Sequence, residues 1–120
     1  MKIPSKKIIC IDFDGTLSTY ASGWCGTMNI PDLPIEGALD FINEAVKHFD
    51  VQIYSTRNGL VGGILGMKTW LSKWEFPVNQ LKFPLDKPPL HMIIDDRSYC
   101  FTGSYPTMEE IEKFKPWNKE

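Results

Sequence analysis

Apolar and polar positions follow two rhythms along this chain. Residues 7–12 are a short apolar run rich in β-branched side chains, the pattern of a buried strand. No period survives over residues 17–35, which carry Tyr20, Ser22, Gly23, Trp24, Gly26, Asn29, Pro31 and Pro34 and read as one long loop. A loop of that length in a small domain is more often functional or mobile than filler. Trp24 within it serves either to pack the loop or to touch a substrate. From near Glu36, the residues Ala38, Leu39, Ile42, Ala45, Val46 and Phe49 recur at helical spacing and form one core-facing stripe. His48 near its end reads as solvent-facing. Val51–Ser55 is the second strand, ending in the polar turn Thr56–Gly59. A second helix runs from about Leu60 to Trp74 with Ile64, Met67, Leu71 and Trp74 on one face. Gly62, Gly63 and Gly66 weaken its first half and signal close packing, a late start or mobility.

Pro77 marks the exit from that helix, and Val78–Phe83 suits a short strand. Pro84, Pro88 and Pro89 stiffen the next connection. His91–Ile94 is an uninterrupted apolar run, as expected for a strand covered on both faces. Tyr99–Gly103 suggests a short final strand. Thr107-Met108-Glu109-Glu110 has the form of a capping box opening a helix with Ile111 and Phe114. Pro116 ends it, and 117–120 read as a tail without chemistry.

Length and charge narrow the picture. The 120 residues form one domain, 1–120, able to bury a core without staples. A net charge of −2, with both signs spread along the chain, gives no broad basic face for duplex nucleic acid. Cys10, Cys25 and Cys100 are far apart and odd in number, fitting neither a zinc site nor a disulfide framework. A reduced, cytoplasmic setting is expected. No secretory signal and no membrane-spanning stretch is seen.

The chemistry gathers where strands end. Asp12 and Asp14 lie two positions apart, so their side chains can converge just past the first strand, and Gly15 lets the chain turn. Open α/β sheets bind ligands at the carboxyl ends of their strands. One carboxylate can attack an electrophile or hold a metal while the other moves a proton. Ser55 ends the second strand, where its hydroxyl can bond a phosphoryl oxygen or cap a helix. Arg57 can contact an anion or take an ion partner. Asp95 and Asp96 place a second acidic pair after the apolar run 91–94. Four carboxylates in one cleft call for a hard divalent cation, and oxygen ligands suit magnesium.

Asp12-Phe13-Asp14-Gly15-Thr16 resembles the first motif of the haloacid dehalogenase (HAD) superfamily of phosphohydrolases. Ser55 matches the second motif, Lys87 the third (with Lys82 as rival), and Asp95-Asp96 the fourth. The resemblance implies a Rossmann-like three-layer α/β/α sandwich with a mainly parallel sheet and no cap domain. It implies a phosphatase in which Asp12 attacks phosphorus and forms an aspartyl-phosphate. Asp14 acts as acid and then base, while Ser55 and Lys87 orient the phosphoryl oxygens. Magnesium would be held by Asp12, the carbonyl of Asp14, and Asp95 directly or through water, with Asp96 as a candidate to support these ligands from behind. Gly15, Thr56 and Arg57 would border the substrate, a small phosphorylated metabolite or nucleotide. Ser55-x-Arg57 with Asp95-Asp96-Arg97 is similar to the phosphatase module of polynucleotide kinase-phosphatases, which adds nucleic-acid 3′-phosphate ends as an alternative. A binding module without catalysis, acting through a partner, is the alternative of another class. An acyl or thiol hydrolase on Cys25 or Ser55 would need His48 or His91 as its base, and neither is clearly placed for that.

Overall fold

β1 (Ile8–Ile11) occupies the middle of a three-stranded parallel sheet, between β2 (Asp50–Ile53) and β3 (Met92–Ile94). The computed structural model describes residues 6–119. Parallel pairing sets Ile9 beside Val51 and Met92, and Ile11 beside Ile53 and Ile94. Partners in register share a face, so β-branched side chains stack across the sheet. Helices α1 (Ala38–His48) and α2 (Gly63–Lys73) both feed this one core. Ile42, Ala45 and Val46 of α1, and Met67, Trp70 and Leu71 of α2, pack with Ile9, Ile11, Val51 and Ile53. Phe13 prolongs the same face and meets Trp70 edge-on, with ring centroids 5.1 Å apart. Burying each of the Val, Ile, Leu, Met and Phe side chains contributes about 1.5–3 kcal/mol.

The observed elements depart from the sequence expectations at several points. β2 stops at Ile53, and Ser55 instead caps the 3₁₀ turn Thr56–Gly59. α2 starts at Gly63, because Gly62 adopts a left-handed φ of 80° and breaks the register there. Val78–Gln80 is a 3₁₀ turn rather than a strand. Only Lys82 joins the sheet: its N–H donates to Val51 O at 3.2 Å, and its carbonyl accepts from Ile53 N at 2.8 Å. β3 is an edge strand, not one covered on both faces, and Met92 is 53% exposed. Its coverage is thin because the connection 83–91 contains no helix. Tyr99–Gly103 forms no strand; the Tyr99 hydroxyl donates to Ser104 O at 3.2 Å and closes a loop.

The capping box at Thr107 forms as expected and opens α3 (Met108–Lys113), which buries no residue. Among the described residues no helix is long and apolar enough to cross a membrane.

The chain steps from β1 to β2 and on to Lys82 in one direction, then returns to β3 on the other side of β1. That reversal makes the carboxyl ends of β1 and β3 a topological switch point, where neighbouring connections diverge and leave a crevice.

Candidate metal centre

Asp12 follows β1 directly, and its N–H donates to Ile94 O at 2.9 Å, the last rung toward β3. Asp95 and Asp96 follow β3. One carboxylate oxygen from each of Asp12, Asp95 and Asp96 lies within 4.8 Å of the others. Burial pushes the Asp12 carboxyl up to about 8, the negative neighbours Asp95 and Asp96 add to the rise, and a hydrogen bond from the Phe13 N–H opposes it. Asp95 Oδ1 accepts the Arg97 N–H at 2.7 Å, which fixes the turn after β3. Gly15 makes the cluster possible in two ways. It holds a φ of 79°, and a Cβ there would collide with the Asp96 carboxylate.

A cleft of about 510 Å³ opens beside the cluster, lined by Asp12, Asp95, Ser55, Thr56, Tyr54 and Arg97 among others. A neighbouring cavity of about 310 Å³ shares Asp12, Ser55, Thr56 and Arg97, and adds Asp14, Asp96, Tyr20 and Trp24. The cleft is therefore open and of mixed lining, with carboxylates, hydroxyls and the one guanidinium of Arg97 on its walls.

Asp14 is placed differently from the other acids. Its side chain is not among the three converging carboxylates; it turns to Arg57. Arg57 Nε donates to Asp14 Oδ2 at 2.8 Å and Nη2 to Oδ1 at 3.1 Å. Nη1 donates to the carbonyls of Gly26 at 2.9 Å and Thr27 at 2.8 Å. Arg57 is 1% exposed, and Trp24 covers it with the guanidinium carbon 4.4 Å from the ring centroid. Arg57 is thus a buried clamp joining the Asp14 turn to the loop 17–35. Four of its five N–H donors are committed there, and the side chain is buried, so Arg57 is spent on the clamp rather than presented to the cleft. Trp24, half-exposed, packs this clamp and also borders the smaller cavity.

The remaining sequence candidates divide. Ser55 Oγ accepts the Arg57 N–H at 3.2 Å, so it caps the turn while still bordering the cleft. Thr56 is exposed and borders both cavities. Lys82 Nζ pairs with Asp50 at 2.9 Å, at the amino end of β2 and away from the acids. Lys87 is exposed and does not line the cleft; its charge is felt by the Cys10 thiol, which burial pushes up and Lys87 partly restores.

Sequence reasoning missed Asn58 and Trp117. Asn58 Nδ2 donates to Ile53 O at 2.7 Å and Pro84 O at 2.8 Å, and its Oδ1 accepts Ser55 N–H at 3.0 Å. The polar residue three places after a capping serine was its available signal. The tail is not inert: Trp117 Nε1 donates to Gly15 O at 2.7 Å, and Asn118 Nδ2 to Thr19 O at 3.1 Å. No local pattern announces a contact across 102 positions.

Comparisons with protein-family models, with curated proteins and with solved structures give no match to this chain.

Proposed function

We propose that this protein is a magnesium-dependent phosphomonoester hydrolase of HAD type that works through an aspartyl-phosphate on Asp12. The observation that carries this is the convergence of Asp12, Asp95 and Asp96 beside an open cleft at the switch point of a parallel sheet. In fold terms we read the domain as a capless, Rossmann-like member whose second helical layer is reduced to the segment 83–91. A small phosphorylated metabolite or nucleotide suits the size of the cleft.

The donor set fits a hard divalent cation. Three carboxylates approach one another, and Asp12 is held protonated near neutrality unless a positive charge joins it. Asp12, Asp95 and Asp96 would hold the ion, which would supply charge compensation for the phosphoryl oxygens. An Asp12 oxygen bonds to phosphorus as the bond to the leaving oxygen breaks. Asp14 delivers the proton to that oxygen, then takes one from the water that attacks phosphorus and restores Asp12. Ser55, Thr56 and Arg97 border the space for the phosphoryl oxygens, and Lys87 would have to swing inward to join them.

A second reading has its own support. Both Asp14 oxygens accept from Arg57, and a protonated Asp14 would have to surrender one of these bonds. This favours a module that binds metal or phosphate and acts through a partner. Phosphate release from a panel of nucleotides, sugar phosphates and 3′-phosphorylated oligonucleotides separates the two. We expect turnover that needs magnesium, stops with chelator and is lost in Asp12→Asn. Magnesium binding without turnover on any substrate would favour the module, and turnover surviving Asp12→Asn would remove the nucleophile.

A further inference from the structure

We propose that the groove between residues 97–99 and α3 receives the leaving group of the substrate, and that this group is a flat aromatic ring. The inference rests on the phosphatase reading and extends it to a substrate class. The groove has a volume of about 370 Å³ and is walled by Arg97, Tyr99, Pro106, Ile111 and Phe114. Arg97 also lines both acidic cavities, so a single side chain borders the phosphoryl site on one side and the groove on the other. Among the described residues the Arg97 guanidinium has no hydrogen bond or ion pair, whereas every nitrogen of the Arg57 guanidinium is occupied. Arg97 is thus a cation on the cleft wall still open to a ligand.

The walls select what lies beyond the phosphate. Tyr99 is 55% exposed, Ile111 54% and Phe114 47%. α3 buries none of its residues, and its Ile111, with Phe114 just past the helix end, lines the groove while remaining about half exposed. The one carboxylate bordering the groove, Glu110, accepts the Thr107 N–H at 3.2 Å and is engaged in the helix cap. Rings and a planar guanidinium stack on flat aromatic ligands. An aryl phosphate and a nucleoside monophosphate share this chemistry.

The test uses the full chain with benzyl phosphate and adenosine monophosphate against cyclohexylmethyl phosphate and glycerol phosphate. Benzyl and cyclohexylmethyl leaving groups are both alkoxides of similar size and differ mainly in flatness. We expect benzyl phosphate to exceed its saturated counterpart by about ten-fold in kcat/KM. Tyr99→Ala and Phe114→Ala, both at exposed positions, should erase that advantage by raising KM for benzyl phosphate more than for its saturated counterpart. Adenosine monophosphate following benzyl phosphate would extend the site to nucleobases; benzyl phosphate alone would restrict it to small aryl groups. Equal rates for the flat and saturated pair, or a preference untouched by both variants, would overturn the groove while leaving the hydrolase intact. If no substrate turns over, the hydrolase reading falls, and calorimetric binding of the same pair decides the groove. Tighter binding of benzyl phosphate that weakens about ten-fold in Phe114→Ala supports it, and equal binding overturns it.

Discussion

Replacing Arg57 by methionine isolates the contact that ties the Asp14 turn to the loop 17–35. The change keeps much of the side-chain length and removes four donations, two to Asp14 and one each to Gly26 O and Thr27 O. Asp14 would remain charged with its side chain only 17% exposed. Removing one partner of a buried ion pair costs ~3–5 kcal/mol, and partial exposure of Asp14 places the loss toward the lower end. The two abandoned carbonyls add ~1 kcal/mol each where water does not reach them. The sum is about 5 kcal/mol, a large share of the ~5–15 kcal/mol that a domain of this kind holds. Urea unfolding followed by tryptophan fluorescence measures the loss. Asp14→Asn in the Arg57→Met background should recover ~2 kcal/mol, since the stranded charge is then gone. A loss below ~1 kcal/mol for Arg57→Met, or strict additivity of the two changes, would refute the buried-clamp account.

Other outcomes follow from the same geometry. The Asp12 carboxyl is raised from 3.8 to about 8, so the folded metal-free protein favours the protonated form; that stabilisation is complete below 3.8 and is lost as pH rises through about 8. Thermal melting in chelator should therefore fall across this window, while magnesium affinity, measured by calorimetry, should rise by up to ~10-fold per pH unit below about 8 as one proton is displaced. Gly15→Ala should abolish magnesium binding by driving a methyl group into the Asp96 carboxylate, while circular dichroism still reports a folded protein. Trp117→Phe keeps an aromatic ring, though a smaller one, and removes the Nε1 donor to Gly15 O; we expect a loss of ~1 kcal/mol in urea unfolding, with Trp117→Ala costing more.

The sheet and the acidic cluster were legible in the sequence because both are written locally. An apolar run followed at once by Asp12, and another followed by Asp95 and Asp96, state the strand and its functional end together. Parallel pairing then brings those ends side by side. What stayed hidden is the orientation of side chains once the chain turns. Asp14 shares the strand parity of Asp12, yet the turn at Gly15 and the guanidinium of Arg57 draw its carboxylate out of the cluster. The run 78–83 has strand-like composition, but exposed Asn79 and Gln80 follow Pro77 into a 3₁₀ turn, and one residue alone reaches the sheet. Trp70 was absent from the predicted helical stripe although it is 4% exposed and touches Phe13, Trp74 and Phe76. The late start at Gly63 leaves helix α2 short, and glycines at 63 and 66 let Arg57 and the Thr27–Met28 backbone approach where side chains would stand. The Trp117 contact belongs to tertiary structure alone.

The most direct test is chemical trapping of the covalent intermediate. The full chain is mixed with magnesium and a turned-over phosphomonoester, quenched in acid during the first turnover and reduced with borohydride, which converts an acyl phosphate of aspartate to homoserine. Peptide mass spectrometry should find the conversion at Asp12 and nowhere else, and chelator should prevent it. Phosphate release with Asp12 unchanged, or a phosphoryl group recovered on Ser55, would contradict the account.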